Sequence, residues 1–239
     1  MRRAIVLGLA TAITTAAGCS EARSQNGGRD VSRDFAVGEF DRIELAGAYD
    51  TTVRTGAAPS VQARGEQDAL EDLKVEVRDG TLYISHKKRS GLSFGRRGPL
   101  ELTVTVPSLR GAELAGAGDI RIDRVAGDRF EGRIDGAGDL HIGKVEVGSF
   151  TLAIAGAGNA TAESGRARSV DYSIAGAGDI RAQGVSSETA AVSVQGAGGV
   201  RLQASRTASV SVMGAGDVDL TGGAKCTISK MGPGDVRCS

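Results

Sequence analysis

Apolar and polar residues alternate with a period of two along most of residues 35–238, and from residue 116 onward the alternation recurs in near-identical blocks. Side chains at i and i+2 share one face of a strand, so each block reads as a short β segment with one dry face. A Gly-x-Gly opens every block: Gly116/Gly118, Gly136/Gly138, Gly156/Gly158, Gly176/Gly178, Gly196/Gly198, Gly214/Gly216 and Gly232/Gly234. The first four steps are equal and the last two are slightly shorter. Aligned on these glycines, the apolar positions fall into columns. One holds Ile120, Leu140, Ala160, Ile180, Val200, Val218 and Val236; two positions on comes Ile122, Ile142, Ala162, Ala182, Leu202, Leu220 and Cys238. Further along each block are Phe130, Phe150, Val170, Ala190, Ala208 and Cys226, then Leu152, Tyr172, Val192, Val210 and Ile228, then Ile134, Ile154, Ile174, Val194 and Val212.

A fixed period in this range predicts stacked coils. The expected fold is all-β: a parallel β-helix or solenoid of about seven glycine-cornered coils of 18–20 residues, preceded by a more irregular β region. Each coil supplies about five inward side chains and cannot bury them alone, so stability accumulates as coils stack ~4.8 Å apart. The seven corners would then span roughly 29 Å of axis. The glycines are expected where a tight corner needs positive φ and stacking leaves no space for a Cβ. In the last corner the middle residue is Pro233, which predicts negative φ there and no obligatory backbone donor.

Residues 35–108 alternate less regularly. Ile43 and Leu45, Val75 and Val77, Leu82 and Ile84, and Leu100 through Val106 read as strands. Asp79-Gly80 predicts a tight hairpin, Gln67–Leu73 one short helix, and Ala46-Gly47-Ala48 echoes the later corners as an irregular start to the same solenoid. Between Ser85 and Pro99 lies a basic loop with Lys87, Lys88, Arg89, Arg96 and Arg97, read as a solvated hairpin tip.

Composition adjusts this picture in three ways. Tryptophan is absent and aromatics are 3% of residues, so the core must be aliphatic. Acidic and basic residues balance at 29 each, which leaves no overall basic field for nucleic acid or an anionic membrane surface. The N-terminus reads as an export signal over residues 1–19: Arg2 and Arg3, then an uncharged stretch from Ala4 to Ala17 too short to cross a bilayer, then Ala16-Ala17-Gly18-Cys19. Small residues before a cysteine resemble a lipoprotein signal, which would make Cys19 the lipidated N-terminus. Residues 20–34 are polar and read as a flexible tether with a reach of ~20 Å. Two domain segments follow, 35–108 and 109–239. The remaining pair, Cys226 and Cys238, suits a disulfide that closes the final coil in an oxidising envelope, with two free thiols as the alternative.

Candidate chemistry is sparse. The position after each second glycine holds Asp119, Asp139, Asn159, Asp179, Gly199, Asp217 and Asp235. Stacked carboxylates repel unless neutralised. Calcium is one candidate; the other is the series Arg121, Arg181, Arg201 and Arg237, two positions on and on the same outer face. The column is read as turn chemistry with charge pairing, and no metal ligand or cofactor is assigned. His86 and His141 are far apart in sequence; Asp139 and His141 read as a surface pair. No nucleophile elbow, zinc helix or cysteine cluster is present, so no catalytic residue is assigned.

Phe40-Asp41-Arg42-Ile43-Glu44-Leu45, Asp79-Gly80-Thr81-Leu82-Tyr83-Ile84, Pro107-Ser108-Leu109 and the Gly-Ala-Gly-Asp series together resemble the bacterial envelope family of autotransporter-adhesin "head GIN" domains, over roughly residues 38–238. The resemblance implies a right-handed parallel β-helix similar to pectate-lyase folds without their catalytic residues, and an adhesive role. The expected protein is a non-catalytic, periplasmic or outer-membrane-anchored lipoprotein, tied to the membrane only through lipid. It would contact an envelope or extracellular protein or polysaccharide. The alternatives are a lyase-like polysaccharide enzyme and a calcium-stabilised envelope repeat.

Overall fold

The computed structural model describes residues 30–87 and 100–239. The export signal, Cys19, and the basic loop beyond Lys87 lie outside the described residues. All sixteen strands belong to one sheet. In the N-terminal part these are β1 (Asp30–Phe35), β2 (Arg42–Gly47), β3 (Asp50–Thr55), β4 (Ser60–Glu66), the single-turn helix α1 (Gln67–Glu71), β5 (Leu73–Arg78), β6 (Thr81–His86) and β7 (Leu100–Val106). The repeat then supplies β8 (Gly111–Gly116), β9 (Asp119–Gly136), β10 (Asp139–Gly156), β11 (Asn159–Gly176), β12 (Ile180–Gly196), β13 (Gly199–Gly214), β14 (Asp217–Thr221), β15 (Lys225–Met231) and β16 (Val236–Cys238).

The period sets the register. Strands β9 to β12 pair in parallel with partners one full repeat apart, as in Asp119↔Asp139↔Asn159 and Ile134↔Ile154↔Ile174↔Val194. The result is a parallel β-solenoid whose seven corners bound about six turns. Each long strand is unbroken from one corner to the next. In β10, however, the buried positions run Leu140, Ile142, Val145, Val147, Phe150, Leu152, Ile154. The alternation slips phase twice, after Ile142 and after Val147, and each slip marks a bend that turns the chain while inter-coil pairing continues. Val145 and Val147 lie outside the aligned columns, so a coil buries more than the five side chains counted from them.

The shorter coils shed their missing residues at these bends. Arg181 pairs with Arg201, Ser186 with Gln203 and Thr189 with Thr207, and the Gly196↔Gly214 corner stays aligned. The aromatics concentrate in the centre: Phe130 and Phe150 lie 6.0 Å apart, as do Phe150 and Tyr172, the latter edge-on. Gly132 beside them leaves room for two leucines, because a Cβ there would come within 2.7 Å of Leu140 and 2.8 Å of Leu152.

The corner column starts earlier than the repeat, since Gly47 pairs with Gly116 and Asp50 with Asp119. The first coil is thus interrupted by a long insertion. Its strands β6 and β7 stack outside β2 and β3 as a further parallel rung. Beyond that rung β5 pairs antiparallel with β6, β4 with β7, and β1 with β4. One sequence expectation changes here. Residues 30–34 of the expected tether belong to β1, held by pairing from Asp30↔Glu66 to Phe35↔Val61. The sheet runs without interruption across residue 108. The Asp79-Gly80 hairpin joins β5 and β6 through two positive-φ residues (48° and 73°), as that dipeptide predicts.

Candidate functional site

The outer edge beside the glycine corners is the most regular chemical feature of the surface. The corner glycines stack in two columns, and the expectation of positive φ holds for only one of them. The first glycine of each pair, Gly116, Gly136, Gly156, Gly176, Gly196, Gly214 and Gly232, has positive φ. The second, Gly118, Gly138, Gly158, Gly178, Gly198, Gly216 and Gly234, does not. This corrects the sequence reading: the chain reverses at the first glycine, and the second is glycine for space alone.

Built Cβ atoms show both demands. At Gly156, with φ +137°, a Cβ would lie 2.1 Å from the carbonyl oxygen of Gly136 in the preceding coil. At Gly158 it would meet Gly138 O at 2.2 Å and Ile134 Cγ2 at 2.9 Å. The same crowding recurs along the second column. At Gly118 the obstacle is the Tyr49 backbone oxygen at 2.3 Å, and at Gly178 it is Gly158 O at 1.9 Å. At Gly216 a core side chain comes first, Val194 Cγ1 at 2.5 Å, followed by Gly198 O at 2.6 Å.

The middle residue of each corner has negative φ, as expected, because Asp79 is the only described non-glycine residue with positive φ. A backbone donor is used at that position in most corners, though Pro233 shows that it is not obligatory. Ala137, Ala157, Ala177, Ala197 and Ala215 each donate N–H to the first glycine carbonyl of the preceding coil at 2.9 Å. Pro233 forgoes that bond, and Gly234 N–H reaches Gly214 O at a longer 3.5 Å.

Directly after the corner, the acidic column is knitted into the stack. Asp119 Oδ1 accepts the N–H of Asp139 (3.3 Å), Asp139 Oδ1 that of Asn159 (3.0 Å), Asp179 Oδ1 that of Gly199 (2.8 Å), and Asp217 Oδ1 that of Asp235 (2.8 Å). Each of these aspartates therefore caps the same position one coil further on. The side-chain amide of Asn159 also donates to Asp139 Oδ1 at 2.9 Å, replacing a like-charge contact with a hydrogen bond. The second oxygen faces an arginine two positions along: Arg121 on Asp119 at 3.2 Å, Arg181 on Asp179 at 2.6 Å, Arg237 on Asp235 at 3.9 Å. Charge pairing across one strand face thus neutralises Asp119, Asp179 and Asp235, whereas His141 and Asp219 stand two positions after Asp139 and Asp217. Gly199 breaks the series, and Arg201 has no aspartate two positions before it. A notch of about 260 Å³ opens there between Asp179, Arg181, Arg201, Asp217 and Arg237.

Other singled-out residues do not converge. His141 does not pair with Asp139; its Nε2 lies 3.1 Å from Glu163 Oε1 in the next coil. His86 packs against Tyr49, with ring centroids 5.0 Å apart, on a different part of the solenoid. Among the described residues no group of three His, Cys, Asp or Glu side chains is placed to hold a metal ion. Cys226 and Cys238 form the disulfide, joining β15 to β16. They are less inward than their columns imply: Cys226 is half-buried and Cys238 exposed, because no further coil covers them.

One patch has no counterpart in the sequence reading. Glu44, Glu113 and Arg133 are lateral neighbours on successive coils. Partial burial, then the charges of Glu44 and Asp135, push the Glu113 carboxyl above its usual range. No sequence signal marks it, since the long insertion between the two coils hides that Glu44 and Glu113 share a column.

Comparison places this architecture. The chain belongs to the family described as "putative auto-transporter adhesin, head GIN domain", which matches residues 39–224. Solved structures of low sequence identity share the fold. A "putative adhesin" from Bacteroides fragilis has TM-score 0.79 and 23% identity, over 88% of this chain and 97% of that one. A "putative lipid binding protein" from Parabacteroides distasonis has TM-score 0.72 and 19% identity, over 90% and 98%. A "putative adhesin" from Parabacteroides merdae has TM-score 0.67 and 17% identity, over 88% and 96%. Among curated proteins none matches this sequence. No helix among the described residues is long and apolar enough to cross a membrane.

Proposed function

We propose that this chain is a non-catalytic adhesion-like module of a bacterial envelope, exported and held at a membrane through lipid on Cys19. The observation that carries the reading is the corner edge from Asp119 to Arg237. Its carboxylates are engaged by backbone N–H groups and arginines of the stack itself. Groups so engaged build a stiff, repeating, charged contact surface, whereas an acid or base catalyst needs a carboxylate or imidazole free to exchange a proton with substrate. Family membership and the adhesin neighbours support the same reading. The expected partner is a protein or polysaccharide of the envelope or of the cell exterior. The lipid-binding neighbour adds lipid vesicles to the surfaces worth testing.

The test is retention of the purified mature protein on intact envelopes, isolated envelope polysaccharide and lipid vesicles. Acidic glycans incubated with the protein are assayed in parallel for new reducing or unsaturated ends. Retention without glycan cleavage is the expected result; cleavage, or retention on none of the surfaces, overturns the reading. In cells, C19A is expected to move the protein from the membrane fraction to the soluble one, and an unchanged distribution removes the lipid anchor.

A further inference from the structure

In the outer ladder Asp119 and Asp179 each have two tasks: one oxygen accepts the N–H of the same position a coil further on, and the other faces the arginine two positions along; Asp139 and Asp217 perform the first alone. Gly199 can do neither. Two donors are therefore deprived of the carboxylate that the pattern elsewhere supplies. One is the N–H of Asp217, which pairs with Gly199 across the coils and finds no side-chain oxygen there. The other is the guanidinium of Arg201, which among the described residues has no carboxylate within ion-pair distance, whereas Arg121, Arg181 and Arg237 each have one. Both donors border the same notch of about 260 Å³. A guanidinium fork beside a backbone N–H is a receptor for a carboxylate, and charge-assisted bonds of this kind are the strong ones.

The rest of the wall narrows the ligand. Asp179 is occupied on both oxygens, by the Gly199 N–H and by Arg181, but Asp217 spends only Oδ1, on the Asp235 N–H, and lines the notch with its second oxygen outside any ion pair among the described residues. Asp219, the register partner of Arg201 on the next coil, adds another carboxylate. A simple fatty or peptide carboxylate would meet these acceptors with apolar groups. A polyhydroxylated acid would offer them hydroxyl donors.

We propose that the notch at Gly199 binds the uronic acid of an acidic sugar, its carboxylate taking the place in the ladder that an aspartate side chain fills on other coils. The inference deepens the adhesion reading and rests on it only for the source of the sugar.

The test is an NMR titration of the ¹⁵N-labelled mature protein with galacturonate, an oligogalacturonide and galactose. Galacturonate is expected to shift the amides of Gly199 and Asp217 and the side-chain signal of Arg201, with galactose at least about tenfold weaker. G199D inserts the protein's own carboxylate. It fits an ordinary φ, and its Cβ comes nearest to the terminal oxygen of Asp179, at 3.0 Å. It is expected to abolish these shifts while leaving the melting temperature unchanged or higher. R201Q, at an exposed position, is expected to weaken binding about tenfold. Binding of both acids supports the site for free and polymeric uronate; binding of the oligomer alone assigns it to polymer. Equal shifts with galactose, no shifts with either acid, or unaltered binding in G199D overturn the proposal. Envelope retention of G199D separates the two claims: a variant that loses galacturonate but keeps envelopes leaves adhesion standing on other surfaces. A wild type that binds galacturonate but no envelope keeps the site and removes the adhesion reading.

Discussion

At the residue scale the paired corner glycines answer two different demands. The first must adopt a backbone conformation closed to other residues and also lie under the next coil; the second needs only the space. Gly156→Ala is therefore expected to be severe, because a positive φ of +137° and a carbonyl oxygen 2.1 Å from the new Cβ act together. Strain and overpacking of this kind cost about 2–4 kcal/mol, or on the order of 5–15 °C in melting temperature for a chain of this length. Gly38→Ala is the control: its Cβ would meet nothing within 4 Å, and thermal melts of the two variants should separate clearly. Glu113 gives a pH-dependent counterpart. Burial, then Glu44, raises its folded-state affinity for a proton. The native state is thus relatively favoured below the ordinary value of 4.5, and that contribution is lost as pH rises through the elevated folded value. Glu113→Gln should melt higher than wild type at pH 7, with the difference closing as pH falls below 4.5. A constant difference across that range would show that charge is not the cause.

At the scale of elements, the two ends of the stack are finished differently. The N-terminal end is covered by antiparallel strands β5, β4 and β1, which use up the edge hydrogen bonds that would otherwise template another chain. At the C-terminal end, β15 pairs with β13 on one side and is largely exposed. Its Lys230 occupies the position paired with core residue Val212, and its ammonium donates to Gly234 O at 2.7 Å. A lysine in an inward column discourages further stacking, and the disulfide fastens β15 to the three-residue β16. Closing a loop of this size is worth about 3 kcal/mol. Reduction is expected to raise hydrogen exchange across residues 225–238 while the amides around Phe150 and Tyr172 stay protected. Loss of protection throughout would mean that the end coil nucleates the rest.

At the scale of the whole molecule, each coil contacts only its neighbours, so stability is close to a sum over coils and interfaces. Deleting one full period, residues 139–158, would place the coil of Asp119 against that of Asn159 with every column in register. The shortened chain is expected to keep its β circular-dichroism signature and melt cooperatively at a lower temperature. Deleting half a period from the same stretch would put the Gly-x-Gly corner over a bend and should give no folded protein. If both deletions behave alike, the coils are not interchangeable units.

The repeat was legible in the sequence because its two signals, alternation of period two and glycines at fixed spacing, are local. They set the corner columns, the parallel register, the inward residues from Ile120 to Val236, and the pairing of arginines with the acidic column. Four things were not local. The insertion between Gly47 and Gly116 concealed that β2 and β8 are consecutive coils, and so hid the Glu44–Glu113 contact. The two glycines of a corner look alike in sequence, yet Gly118, Gly178 and Gly216 are fixed by the coil beneath them and not by their own backbone angles. The middle alanines carry a hydrogen bond to the preceding coil that the Pro233 corner does without, and only the stacking shows its acceptor. His141 turned to Glu163 because the neighbouring coil brings that carboxylate to its ring. Sequence determined which residues face the dry interior, since burial follows from periodicity. Only the stacked structure decided which outer side chains meet, since lateral neighbours in a solenoid are a whole coil apart in the chain.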